Sequence, residues 1–337
     1  MIKKILHILD RGEKQIMSGF KRTTSLAYRG LRNYLRRIPY GISIEVTHSC
    51  NAKCAHCHLG GPVKENRASP EKYGELVRQI KPVVAQLSGG EPLLRKDLED
   101  IVSHLRNPNK APYIIITTNG TILTKKRYAS LIEAGVDTYS LSLDYPDERH
   151  DEFRGVPGLF GKLDNLIRDL NKTTKPAITL CCVIQSDNFR DLMKMAELAR
   201  NWGVKLNFSC YTFLRTHDKK YMISKDQLEE FKEIIEKLLE FNRQTGLITT
   251  SRYVYNTMIK FFKNESIPNC RTGYKFININ PDGTFSPCGL IITDFKSREE
   301  LLEKFSKTNT CTFCNTSIRA NSEKPLRHLI KDSIRSL

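Results

Sequence analysis

The sequence predicts an α/β fold: a partial (β/α)6 barrel of the TIM type, followed by a small α+β domain that carries cysteines. Three observations lead there. Between residues 42 and 210 short β-branched runs alternate with longer stretches of helical period, and a repeating βα order implies a parallel sheet with helices outside it. Past residue 210 the alternation stops, and a charged helical stretch gives way to short apolar runs broken by turn residues. Seven of the ten cysteines fall in two groups, one just after the first strand and one in the tail.

In order along the chain, residues 1–40 hold ten Lys and Arg against two Asp and Glu, a large share of the net charge of +17. Ile2, Ile5, Leu6 and Leu9 fall at helical spacing, and Tyr28, Leu31, Tyr34, Leu35 and Ile38 alternate with Arg29, Arg32, Arg36 and Arg37. This is a basic amphipathic helical extension. It suits either a helix lying on an anionic membrane surface or a solvated face packed on the bottom of the domain. No aromatic or base-reading module accompanies the charge, so nucleic acid is not an expected partner.

The strands are expected at 42–47, 83–87, 113–117, 138–143, 178–184 and 205–209. The helices between them are expected near 70–80, 97–106, 124–134, 161–172 and 189–201, several opened by Ser, Thr or Asp and closed near Gly. In such a sheet the chemistry sits at the C-terminal ends of the strands. These elements form a core over 41–215. Residues 225–244 read as one charged helix within a connector, 216–250, and 251–337 form the cysteine domain with a C-terminal helix. Within it, 250–320 read as short strands and turns, including Pro281-Asp282-Gly283 between two apolar runs.

The chain of 337 residues, 39% hydrophobic and 27% charged, is too apolar for a disordered protein. No stretch approaches the roughly 18 apolar residues of a membrane span, and the charged N-terminus lacks the form of a secretion signal. A cytoplasmic location is the expectation, and in a reducing compartment clustered cysteines point to metal binding or catalysis.

The first group is Thr47-His48-Ser49-Cys50-Asn51-Ala52-Lys53-Cys54-Ala55-His56-Cys57, a CxxxCxxC run on the loop after the first strand. Three thiolates can wrap one metal centre without completing four-fold ligation. Zinc would need a fourth ligand, which His48, His56 or His58 could supply. A [4Fe-4S] cluster on three cysteines instead leaves one iron open to a small molecule.

This spacing resembles the signature of the radical S-adenosylmethionine (SAM) superfamily. A second motif strengthens the resemblance: Leu87-Ser88-Gly89-Gly90-Glu91-Pro92 ends the second strand as the GGEP motif does in that family. There Gly89, Gly90, Glu91 and Pro92 correspond to the region that receives the amino group of SAM. Thr117-Thr118-Asn119-Gly120 resembles the family's TNG, which implies Asn119 in the active site. Ser142-Leu143-Asp144 and His150-Asp151-Glu152-Phe153-Arg154-Gly155 resemble the SLD and HDxxRG sequences of the subgroup acting on peptides and similar substrates. By resemblance Ser142 and Arg154 hold the ribose or carboxylate of SAM, and Asn188 stands where many members carry Asn. Each of these could instead be a cap or turn residue. His56 departs from the pattern, because the family usually has an aromatic residue near the adenine there, and an imidazole can still stack.

Cys270, the Gly283 to Cys288 GxxxxC and Cys311-Thr312-Phe313-Cys314 resemble the opening of the SPASM domain found behind radical SAM barrels. The tail lacks its further cysteines, so the shortened twitch domain with one auxiliary [4Fe-4S] cluster is the nearer likeness. A four-cysteine zinc site is the alternative. Cys181, Cys182 and Cys210 remain, of which Cys210 ends the sixth strand and is the candidate hydrogen-atom donor.

The resemblance implies reductive cleavage of SAM to a 5′-deoxyadenosyl radical that abstracts hydrogen from a substrate. It further implies an external low-potential electron donor of the flavodoxin or ferredoxin type, and an auxiliary cluster for electron transfer. Peptide, lipid or glycan precursor and small sugar or amino alcohol all stay open as substrates. So do dehydrogenation, cross-linking and epimerisation as outcomes. A non-catalytic metal-binding module is the competing reading.

Overall fold

The computed structural model describes residues 22–107 and 111–329. The predicted alternation is realised as six parallel strands: β1 (Gly41–Thr47), β2 (Val84–Gly89), β3 (Tyr113–Thr118), β4 (Thr138–Ser142), β5 (Ile178–Ile184) and β6 (Lys205–Cys210). The side-chain period of two in each strand decides what faces where. Ile42, Ile44 and Val46 of β1 are fully buried in the apolar core, while Ser43 and Glu45 line an interior cavity. The same division puts Ala85 and Leu87 of β2 in the core and Gln86 and Ser88 at the cavity.

The outer layer is α2 to α7 in order after a helix at 22–36 (α1). They are α2 (Pro70–Ile80), α3 (Leu98–Leu105), α4 (Lys125–Ala134), α5 (Arg149–Arg154), α6 (Leu159–Asn171) and α7 (Leu192–Asn201). Ser69 and Thr124 cap α2 and α4 through their side chains, accepting from the backbone N–H of Lys72 and Arg127. Helices α8 (Leu228–Thr245) and α9 (Arg252–Asn264) follow, with α10 (Arg298–Leu301) and α11 (Ser317–Ser322) in the tail.

Two expectations for the tail are corrected. Residues 252–264 are a helix, not strand and turn. Val254, Tyr255, Met258, Phe261 and Phe262 recur at helical spacing and bury one face, a pattern hidden by aromatic and β-branched composition. The hairpin β7 (Phe276–Ile279) and β8 (Phe285–Ser286) also does not form a sheet of its own. β7 pairs in parallel with β1, giving one sheet in the order β6-β5-β4-β3-β2-β1-β7-β8. The tail thereby seats its cysteines beside the first strand.

In the extension, Ile2, Ile5, Leu6 and Leu9 lie outside the described residues. In α1 three residues of the expected apolar face are turned outward, Tyr28, Leu31 and Leu35 at 70%, 52% and 70% exposed, while Ile38 packs against the core and Lys275 covers the Tyr34 ring. What the helix buries is Asn33, whose amide donates to the carbonyls of Pro39 and Lys81, both at 3.0 Å. Arg29 adds a bond to the Pro82 carbonyl, so α1 sits at the N-terminal ends of β1 and β2, away from the cavity mouth. Among the described residues no helix is long and apolar enough to cross a membrane.

Candidate active site

The cavity, about 280 Å³, opens at the C-terminal ends of the strands. The cysteine loop after β1 folds over it. An antiparallel bridge between Cys50 and Gly61 closes the loop, and the N–H groups of Lys53 and Ala55 donate to the carbonyls of Arg154 and Phe153. Gly155 ends α5 in the left-handed conformation at φ 64°, where a side chain would crowd the Lys53 carbonyl. The HDxxRG stretch is therefore a short helix on which the cysteine loop rests.

Gly89 and Gly90 are required for steric reasons. A Cβ on Gly89 would lie 2.0 Å from the Thr47 carbonyl oxygen, and one on Gly90 2.1 Å from that of Ser49. Only glycines let the end of β2 pass so close under the cysteine loop. The contact is fixed by Gly90 N–H donating to Thr47 and Glu91 N–H to Ser49.

Cys50, Cys54 and Cys57 all line the cavity, and each sulfur meets one N–H donor from a different part of the sheet. Asn119 Nδ2 lies 3.9 Å from Cys50 Sγ, Arg154 Nη1 3.6 Å from Cys54 Sγ and Arg215 Nη1 3.7 Å from Cys57 Sγ. Burial pushes the Cys50 and Cys54 thiols up, with Arg154 opposing it at Cys54. Thiolates here want a cation, and a bound metal centre would supply it.

Gly89, Gly90, Asn119, Ser142, Arg154, His56 and Cys210 all border the cavity. Burial pushes His56 down to about 3, so it is a neutral ring, stacked on Phe153 at 4.9 Å between centroids with Nδ1 buried and unpartnered. A flat, uncharged heteroaromatic with an unpartnered ring nitrogen suits a purine face. Arg154 is held by Asp144, with Nη2 to Oδ2 at 2.6 Å.

Glu91, Pro92 and Asn188 are not among the lining residues. Glu91 is fully buried, and its carboxylate accepts from Thr118 Oγ1 (2.7 Å), Asn119 N–H (2.8 Å) and Leu93 N–H (3.1 Å). It sets the loop that presents Asn119. Asn188 spends its amide on the carbonyls of Asp144 and Val183, clamping the ends of β4 and β5.

Sequence reasoning missed Glu45, Arg215 and Arg319. Glu45, the one carboxylate among the described lining residues, accepts from His48 Nε2 at 2.8 Å. It presses so near Gly289 that a Cβ there would lie 2.2 Å from its Oε1. Arg319 is 1% exposed, donates to the carbonyls of Cys314, Ile267 and Pro268, and sets Nη1 3.7 Å from Cys314 Sγ. None belongs to a motif: Arg215 meets Cys57 only across the fold, and Glu45 and Arg319 have near neighbours in sequence but reach the cavity or the Ile267 and Pro268 carbonyls only once the chain is folded.

In the tail, Asn309 Nδ2 donates to the Cys270 carbonyl and Ile267 N–H to that of Thr312, which ties the Cys270 segment to the CxxC loop. Burial raises Cys270 to about 11 and Cys288 to about 12, each with Cys314 nearby adding to the rise. Among the described residues no three of His, Cys, Asp and Glu are placed to hold a single metal ion.

A sequence model of the radical SAM superfamily matches residues 44–199, which span β1 to most of α7 and include the cysteine loop and the glycine pair. Over that stretch the chain belongs to the radical SAM superfamily. Among curated relatives, this radical SAM chain is 28% identical over 310 residues to the AdoMet-dependent heme synthase of Oleidesulfovibrio alaskensis, covering 80% of this chain and 76% of that protein. It is 29% identical over 264 residues to the PqqA peptide cyclase of Granulibacter bethesdensis, covering 74% and 67%. In structure it resembles Streptococcus suis SuiB bound to its precursor peptide SuiA, with a TM-score of 0.63, 18% identity, and 90% and 76% of the two chains covered. The relatives are enzymes, and so is this chain. The relatives' names include heme, a peptide and GTP, and the α/β fold with its partial barrel is shared with the SuiB structure.

Proposed function

We propose that this radical SAM enzyme oxidises a polar substrate, with Cys50, Cys54 and Cys57 ligating a [4Fe-4S] cluster and Cys270, Cys288, Cys311 and Cys314 ligating a second. The observation that carries the reading is the meeting of three cysteine sulfurs, each with its N–H donor, at one cavity with Gly89, Gly90 and Asn119. When bound, the first cluster supplies the electron that cleaves SAM to methionine and a 5′-deoxyadenosyl radical, the species that takes a hydrogen atom from the substrate. Iron–sulfur suits the first donor set better than zinc, because three cysteines leave one iron of a [4Fe-4S] cluster open to a small molecule whereas structural zinc is closed by four ligands.

The chain's own residues divide the remaining work. His56 and Phe153 offer a stacked face for the adenine, Arg154 and Ser142 reach the ribose or carboxylate, and Glu91 and Asn188 position Asn119 and the ends of β4 and β5. The cavity wall of Ser43, Gln86, Ser88 and Thr117 is hydrogen-bonded across strands, Ser43 to Ser88 at 2.8 Å and Gln86 to Thr117 at 2.7 Å. Such a wall favours a hydroxyl- or amine-bearing group over hydrocarbon. Glu45 is the proton acceptor for that group, and Cys270, Cys288, Cys311 and Cys314 would hold a cluster able to accept the electron given up by the substrate. That balance makes dehydrogenation the outcome. Cys210, buried with its thiol raised in pKa, donates to the Asn315 carbonyl; it supports the tail, and hydrogen return from it is the lesser reading.

The remaining assignments are part of the same proposal: a core over 41–215, a connector over 216–250, a twitch-like domain over 251–337 and a flavodoxin- or ferredoxin-type donor. The outward face of α1 contacts an anionic membrane, which the exposure of Tyr28, Leu31 and Leu35 among arginines supports.

Anaerobic reconstitution is expected to give roughly eight irons per chain, and reduction with SAM present to give 5′-deoxyadenosine. Replacing Cys50, Cys54 and Cys57 together by Ala should leave about four irons and no 5′-deoxyadenosine. SAM cleavage by the triple variant would sink the assignment.

A further inference from the structure

Residues 210–215 touch both cysteine sites. Cys210 Sγ donates to the Asn315 carbonyl at 3.4 Å, Thr212 Oγ1 donates to the Phe313 carbonyl at 2.9 Å, and the Phe213 and Phe313 rings meet edge-on at 6.1 Å. Phe313 lies between Cys311 and Cys314, and Asn315 directly follows Cys314. At the other end of the same segment Arg215 sets Nη1 3.7 Å from Cys57 Sγ. Six residues thus run from the loop of one site to a sulfur of the other.

Arg215 differs from the other two donors in its charge balance. Asn119 is neutral, and the Arg154 guanidinium is neutralised by Asp144 at 2.6 Å. Among the described residues Arg215 has no carboxylate within ion-pair distance, and its guanidinium donates to sulfur. Its backbone belongs to a single 3-10 turn, Phe213–Arg215, too short to hold a long side chain in place by itself. The hold comes from Thr212 and Phe213 against the Phe313 loop.

We infer that Arg215 is a positioning residue that raises the reduction potential at the Cys50, Cys54 and Cys57 site, and that its position is set by the loop bearing Cys311 and Cys314. The inference rests on the iron–sulfur reading above. Reduction adds negative charge that is shared with the ligating sulfurs, and a half-buried cation donating to one of them stabilises the reduced form. Because the cation is anchored on the second site, any change that loosens the Phe313 loop changes the first site too, a coupling that must be reciprocal.

The test is an EPR-monitored redox titration of the full chain, reconstituted anaerobically, comparing wild type with Arg215→Gln, Arg215→Lys and Thr212→Val. In Arg215→Gln the reduced-to-oxidised ratio of the first cluster at fixed poise should fall about tenfold, equal to about 59 mV for one electron. Arg215→Lys keeps the charge without the fork and should fall between the two. Thr212→Val, which leaves Arg215 intact but removes its anchor, should shift the first cluster in the same direction by less. An unmoved potential in either Arg215→Gln or Thr212→Val, with iron present at both sites, overturns the inference. Loss of the first cluster from the wild type would instead overturn the iron–sulfur reading itself.

Discussion

Asp144, Arg154 and His150 form a buried charged knot beneath the cysteine loop. Burial pushes the Asp144 carboxyl up, but the Arg154 guanidinium, His56, His150 and the Val183 N–H together hold the group below its usual range. His150 is completely buried, its Nδ1 accepts from the Asp144 backbone N–H, and burial with Arg154 pushes it down to about 4. The folded chain keeps this histidine neutral at a pH where the unfolded chain, with a value near 6.5, has taken up a proton. Its contribution to stability is therefore full above about pH 6.5 and is lost as pH falls toward 4. Between pH 7 and pH 5 the wild type should lose about 2 kcal/mol more than His150→Gln in urea unfolding; equal losses would mean that His150 ionises freely in the fold. Residues of this kind show what a sequence conceals. His56 and Arg154 stand out because they occupy motif positions, whereas Glu45, Arg215 and Arg319 look like ordinary surface charges until the fold supplies a cavity or a sulfur.

At the scale of elements, the close pass of β2 under the cysteine loop is the tightest constraint. Gly90→Ala puts a methyl 2.1 Å from the Ser49 carbonyl oxygen, and Gly89→Ala adds a φ of 124° that alanine avoids. Each should destabilise by about 3 kcal/mol or more and empty the first cluster, measured as thermal unfolding and iron content. Helix α1 makes a separate case. Its buried contact is the Asn33 amide, so its outer face can be changed without disturbing the barrel. Replacing Tyr28, Leu31 and Leu35 with Glu should abolish sedimentation with anionic vesicles while leaving the melting temperature within a few degrees. Unchanged sedimentation would remove the membrane contact from the account. The β-strands were legible because a period of two with β-branched residues is local information, as were the caps at Ser69 and Thr124. The α9 helix was obscured by its aromatic and β-branched composition, and the direction in which α1 faces depends on an asparagine whose partners lie elsewhere in the chain.

For the whole molecule, the barrel was legible because each unusual motif ends a predicted strand, and parallel βα topology gathers strand ends on one face. What was not legible is the joining of β7 to β1, a pairing across more than two hundred residues with no local trace. Its consequence is large: Gly289, next to Cys288, lies against Glu45, so that carboxylate and the second cysteine group share one wall of the cavity. Glu45→Gln should therefore spare 5′-deoxyadenosine formation from SAM while lowering substrate oxidation by about 10²-fold or more. The central claim is most directly tested by EPR of the reduced, anaerobically reconstituted protein with and without SAM. The account predicts a [4Fe-4S]-type signal whose g-values shift when SAM is added and which disappears when Cys50, Cys54 and Cys57 are replaced by Ala. A signal indifferent to SAM, or a zinc-loaded protein with no such signal, would contradict it.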